Sequence, residues 1–102
     1  VSNVTDMVRM FAHTKNFNGD ISEWDVSNVV NMYEMFSNSK AFSGNLSKWN
    51  VSKVVSMYSM FTHSHFNGDV SNWDISNVID ISHIFHGSNF TGDVSKWDTS
   101  NV

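Results

Sequence analysis

Four tryptophans, Trp24, Trp49, Trp73 and Trp97, stand 25, 24 and 24 residues apart. A period of this length makes each stretch one structural unit that meets its neighbours face to face, and it constrains the fold more than any local propensity does. The other apolar positions keep the same period. Aligned to tryptophan are a glycine column (Gly19, Gly44, Gly68, Gly92) and an aliphatic column (Ile21, Leu46, Val70, Val94). Val26, Val51, Ile75 and Thr99 form the next column, followed by Val29, Val54 and Val78. Two methionine-rich columns follow, Met7, Met32, Met57 with Ile81 and Met10, Met35, Met60 with Ile84. Two phenylalanine columns close the unit: Phe11, Phe36, Phe61, Phe85 and Phe17, Phe42, Phe66, Phe90. The two phenylalanines of a unit lie six residues apart in the first two units and five apart in the last two. The length change therefore falls in the polar stretch between them, which reads as a loop.

The period divides the chain into units 1–24, 25–49, 50–73 and 74–97, with a fifth beginning at 98–102. Within a unit, Val29, Met32, Met35 and Phe36 are spaced i, i+3, i+6, i+7, which predicts a short helix of about two turns. Ser27 or Asn28 stands where its N-cap belongs. Gly44 breaks the chain, Asn45 to Trp49 reads as a short extended segment, and Trp49 with Val51 shows the strand period of two. The expected architecture is an α/β repeat solenoid of leucine-rich-repeat type, with one short strand and one short helix per turn of 24–25 residues. A single unit has too few apolar side chains to offset the entropy of ordering it, so stability must come from stacking. Stacking places Trp24, Trp49, Trp73, Trp97, the eight phenylalanines of the two columns and Met32, Met35, Met57 and Met60 in the core. Neither end carries a distinct polar cap, which predicts a segment of a longer array.

The run Trp24-Asp25-Val26-Ser27-Asn28-Val29, followed by Met32, Met35-Phe36, Phe42, Gly44 and Leu46-Ser47, resembles the surface-protein repeat of BspA-like and mycoplasma-type lipoproteins. The resemblance covers essentially the whole chain. It implies a divergent leucine-rich-repeat solenoid, a cell-surface or secreted location, adhesion to host proteins or aggregation, and no shared catalytic residues. The last unit departs from the pattern, with Ile81 and Ile84 in place of methionine and Thr99 in place of valine. The isoleucines keep core volume and Thr99 lies near the end of the chain. Trp-Asp dipeptides also mark propeller blades, but those repeats run to about 40–45 residues, which excludes that fold.

Composition narrows the function. The net charge is −4 and the six Lys and Arg residues are scattered, whereas nucleic-acid binding needs a clustered basic patch. No apolar run is long enough to span a membrane, and none resembles a signal peptide. The absence of cysteine excludes a disulfide framework and a thiolate metal site. Two acidic columns stand out: Asp20, Asn45, Asp69, Asp93 and Asp25, Asn50, Asp74, Asp98. On neighbouring turns their charges would lie about 5 Å apart. Hydrogen bonds to turn backbone would relieve the repulsion. So would calcium bound by Asp20, Asp25, Asp69, Asp74, Asp93 and Asp98, since this cation favours carboxylate oxygens. Turn chemistry is the ordinary role, and no cofactor is required.

Serine recurs in columns as well, at Ser22, Ser47, Ser71, Ser95 and at Ser27, Ser52, Ser76, Ser100. Hydroxyl ladders and caps account for these. A catalytic serine is one residue in a special neighbourhood, so a column of four argues against a triad. The histidines His13, His63, His65, His83 and His86 lack the spacing of a metal site. With no unrepeated catalytic constellation, an enzyme is not expected.

Between the phenylalanines the residues vary from unit to unit: Lys15, Asn16, Ser39, Lys40, His63, His65, His86, Ser88 and Asn89. The column outside the expected strands varies too, as Glu23, Lys48, Asn72 and Lys96. Variable positions on a constant frame are what a binding surface shows. The expected function is a non-catalytic surface or secreted repeat module that mediates protein–protein interaction or adhesion, with a protein ligand as partner. One alternative is a structural spacer or self-assembling unit of a surface layer, fibre or coat, joined through its ends. Another is carbohydrate binding on exposed tryptophan rings.

Overall fold

The computed structural model describes residues 2–102. Successive units lie side by side as stacked coils. Single-residue parallel bridges Asp6–Asn31, Asn31–Ser56 and Ser56–Asp80 set the register at one residue per unit. From each bridge a ladder of backbone hydrogen bonds runs between coils. The N–H groups of Met7, Arg9, Phe11 and His13 donate to the carbonyls of Asn31, Tyr33, Met35 and Ser37 at 2.8–3.0 Å. Met32, Glu34, Phe36 and Asn38 donate in the same way to Ser56, Tyr58, Met60 and Thr62. Met57, Ser59, Phe61 and His63 donate to Asp80, Ser82, Ile84 and His86.

The helix expected over Val29–Phe36 does not form. The N–H groups left between the ladder donors close successive four-residue turns: Met35 to Met32 at 3.2 Å, Ser37 to Glu34 at 3.1 Å and Ser39 to Phe36 at 3.0 Å. An α-helix would need bonds to the fourth residue back, and here alternate donors are already committed to the next coil. The three-residue step between Met32 and Met35 is the step of linked turns. Glu34 and Asn38, third in the first and last of these turns, have φ of 52° and 56°. Positive φ at that position is what a type II turn requires, and it interrupts right-handed helix. The equivalents Arg9, His13, Ser59, His63, His83 and Gly87 share it.

The expected strand is absent too. Leu46–Trp49 is a turn, closed by Trp49 N–H on the Leu46 carbonyl at 3.1 Å, and Val51–Val54 is another, closed at 3.0 Å. Among the described residues no helix forms and strand pairing is confined to isolated bridges. This overturns the α/β, leucine-rich-repeat-like solenoid with a strand and a helix in every turn. Ser27 and Asn28 accordingly cap no helix. Ser27 donates through its N–H and hydroxyl to Asp25 Oδ1, and Asn28 Nδ2 reaches the Ser2 carbonyl at 2.8 Å.

The core is a set of side-chain stacks running along the coil axis. Phe11, Phe36, Phe61 and Phe85 stack with ring centroids 5.4, 5.5 and 5.7 Å apart. Phe42 lies against Phe36 in its own coil at 4.6 Å and against Phe66 in the next at 6.1 Å. Met32, Met35, Met57 and Met60 are fully buried beside them. Trp49, Trp73 and Trp97 are buried, whereas Trp24, Phe11, Phe17, Phe85 and Phe90 are partly buried on the outer coils. The glycine column serves this packing. A Cβ on Gly44 would come within 2.8 Å of the Phe42 ring, and one on Gly68 within 2.8 Å of the Phe66 ring. The shorter loops of the last two coils are closed by serine, with Ser64 Oγ accepting the Phe66 N–H at 3.0 Å and Ser88 Oγ the Phe90 N–H at 3.2 Å.

Candidate interaction surface

The positions that vary between units lie on two columns of this frame. Glu23, Lys48, Asn72 and Lys96 occupy one turn of each coil, and all are exposed. Glu23 and Lys48 approach to 3.4 Å. Between highly exposed side chains such a pair contributes little to stability. Lys15, Lys40, His65 and Asn89 form the second column, with Asn16, His63 and His86 beside them, all exposed. Neighbouring coils are joined there by Lys40 N–H on the Thr14 carbonyl at 3.1 Å and His65 N–H on the Ser39 carbonyl at 3.4 Å. Ser39 itself is fully buried, its hydroxyl 3.2 Å from that of Thr14, so it belongs to the frame and not to the surface. Ser88 is half-buried.

The acidic columns are built into turns. Asp20, Asp25, Asp69, Asp74, Asp93 and Asp98 each accept, through Oδ1, the N–H of the serine two residues on, at 2.8–3.0 Å. Asn45 and Asn50 make the same bond to Ser47 and Ser52. The serine hydroxyl and N–H together hold Asp20, Asp25, Asp69, Asp74 and Asp98 below the usual carboxylate pKa. Among the described residues no group of three or more histidine or acidic side chains is arranged to hold a metal ion.

A third column of the same kind, Asp6, Asn31, Ser56 and Asp80, escaped sequence reading. Each accepts the N–H two residues on, at 2.9–3.4 Å, and these residues make the bridges between coils. Its 25, 25 and 24 residue spacing was the available signal.

Sequence reading also missed a partly exposed strip across the ladder. Arg9 lies over the Tyr33 ring at 5.4 Å and pairs with Glu34 at 3.3 Å. Tyr33 stacks on Tyr58 at 4.8 Å, and Tyr58 meets the edge of His83 at 6.0 Å. His83 touches His86 at 5.4 Å, and His86 touches His63 at 5.5 Å. The tyrosines share a column with Val8 and Ser82 and were hidden by the helical reading of this stretch.

The tryptophan rings are placed differently from what sugar stacking needs. In three of the four units the indole is buried and its N–H donates to a carbonyl of the preceding coil.

A family model described as Mycoplasma protein of unknown function, DUF285, matches residues 1–88 and 62–102. The chain belongs to this family. It is a mycoplasma-type repeat family whose function is unknown. No curated protein and no solved structure matches the chain. No helix among the described residues is long and apolar enough to cross a membrane.

Proposed function

We propose that this chain is a non-catalytic, BspA-like repeat module of a cell-surface or secreted protein, and that it binds a protein partner through its exposed variable columns. The observation that carries this reading is the contrast between frame and surface. The core columns keep their residue types and their inter-coil bonds from unit to unit. Lys15, Lys40, His65 and Asn89 occupy one equivalent exposed position with three different chemistries, as do Glu23, Lys48, Asn72 and Lys96. A rigid backbone that presents changing side chains supplies specificity without rebuilding the fold. The experiment is an alanine scan of the two columns, read as adhesion of the protein to its host surface or partner. Loss of adhesion on one column supports the reading, and a scan with no effect on either column removes it.

A further inference from the structure

The charges on this molecule are segregated. All ten carboxylates fall outside the turns that follow the first phenylalanine of each unit, residues 12–19, 37–44, 62–68 and 86–92. Those same turns carry His13, Lys15, Lys40, His63, His65 and His86, all exposed. The stacking of coils brings these residues to one corner of a chain whose net charge is −4. The backbone bonds already described link Lys40 to the coil of Lys15 and His65 to the coil of Lys40. Lys40 Nζ also donates to the His63 carbonyl at 2.7 Å.

The centre of the corner is held in place. The His63 ring lies against Gly87, where a Cβ would collide with Nδ1, so glycine leaves room for the ring. In that position His63 meets His86, and His86 meets His83, each edge to face. His63 N–H is bonded to the His86 carbonyl at 2.8 Å, and the Thr62 hydroxyl to the His83 carbonyl at 2.7 Å. The groups facing the cluster are few. Lys40 adds positive charge at His63, Tyr58 faces His83, Asp80 lies within electrostatic reach of His83, and Glu34 lies within reach of His13.

We propose that this histidine–lysine corner docks an acidic segment of the partner protein, with Lys15 and Lys40 supplying the charge and the imidazoles of His63, His83 and His86 supplying hydrogen-bonding groups beside it. The inference rests on the protein-binding reading of the exposed columns and adds the chemistry of the partner. Complementary charge of this kind steers encounter and selects partners.

The test is fluorescence anisotropy of a labelled oligoglutamate peptide against the 102-residue chain. It is run at about 50 mM and about 150 mM salt, since exposed charge pairs are screened as salt rises. Affinity is expected to be about ten-fold higher at the lower salt, the sum of several exposed charge pairs. The triple variant His63→Asn, His83→Asn, His86→Asn is expected to weaken binding by about three-fold or more at both salt concentrations through the loss of hydrogen-bonding groups. Asparagine is suited to the positive φ at His63 and His83. Lys15→Gln with Lys40→Gln is expected to weaken binding and remove most of its salt dependence, and Lys53→Gln, exposed but outside the corner and both variable columns, to leave it unchanged. Binding that ignores salt, or that is unchanged in both the lysine pair and the triple variant, overturns the proposal. So does binding of heparin at the corner with none of oligoglutamate, which would assign the corner to a sulfated glycan. If oligoglutamate fails while the alanine scan still abolishes adhesion, the acidic character of the partner is refuted and the protein-binding reading stands.

Discussion

The indole N–H of Trp49 donates to the backbone carbonyl of Ile21 at 3.0 Å, tying one coil to the coil before it inside the core. Trp73 repeats the bond to Leu46 and Trp97 to Val70, each at 2.9 Å. Trp24 has no such acceptor among the described residues and is only partly buried. The tryptophan column is therefore a packing column and a hydrogen-bonding column at once.

Replacing Trp49 with phenylalanine keeps a ring in the core but removes the bond between coils, leaving the Ile21 carbonyl with the Trp24 N–H alone, at 3.1 Å. A lost hydrogen bond costs about 0.5–1.5 kcal/mol, and the smaller ring adds a packing loss. In the 102-residue chain Trp24→Phe removes none of the described bonds between coils and is expected to cost less than half as much. Urea denaturation of the two variants measures the difference, and equal losses would show that the indole bond contributes nothing.

Gly44→Ala places a methyl group 2.8 Å from Cε1 and 2.9 Å from Cζ of Phe42. That ring is fully buried and stacked on Phe17, Phe36 and Phe66, so it has nowhere to go. Overpacking of this kind costs about 1–3 kcal/mol. Gly19→Ala meets the Phe17 ring at 3.0 Å, and that ring is only partly buried. Its melting temperature should fall less than that of Gly44→Ala.

The period, the columns and the core residue types were legible in the sequence because each core position meets its own equivalent on the next coil. The secondary structure was not. Val29, Met32, Met35 and Phe36 satisfy the spacing of a helix face, yet linked four-residue turns bury the same side chains with the same spacing. The deciding fact is where alternate N–H groups go, and Met32, Glu34 and Phe36 send theirs to the next coil. One clue was present in the column His13, Asn38, His63, Gly87, since asparagine and glycine are the residues most at ease with positive φ. The column Arg9, Glu34, Ser59, His83 shares that geometry with no glycine at all, so composition gave no warning there. The variable columns could be read as exposed. Their convergence with His83 on one corner could not, because it depends on turns that the helical reading had removed.

Ser59 has a φ of 52° and a side chain that makes no hydrogen bond among those described. A left-handed conformation costs a non-glycine residue about 1–2 kcal/mol. Ser59→Gly relieves that strain and gives back about 0.5–1 kcal/mol through the greater freedom of the unfolded chain. The variant is therefore expected to be more stable than the parent by about 0.5–1 kcal/mol. Gly87→Ala works in the opposite sense, because φ there is 67° and the new methyl group would strike His63. Thermal unfolding of the pair should move in opposite directions, and a destabilised Ser59→Gly would refute the type II assignment of this turn.

The aspartate turns make stability depend on acid. The folded pKa values of Asp20, Asp25, Asp69, Asp74 and Asp98 are depressed by hydrogen bonds from serine hydroxyl and backbone N–H, and those of Asp80 and Asp93 by the backbone N–H first. The unfolded chain therefore binds protons more readily than the folded one. The stabilisation is fully present above the unfolded carboxylate value of about 3.9 and is lost as pH falls through the lower folded values. Melting temperature is expected to be flat above about pH 5 and to drop steeply below about pH 4. Asparagine already fills two of these turns at Asn45 and Asn50, with the same bond to the second residue on. Combined replacement of Asp20, Asp25, Asp69 and Asp74 by asparagine should keep the turns and flatten the acid limb, at the loss of the stronger bond that an ionised acceptor makes near neutral pH. A set of melting curves from pH 2.5 to 7 on parent and variant decides it. An unchanged acid limb in the variant would mean that these carboxylates do not govern acid stability.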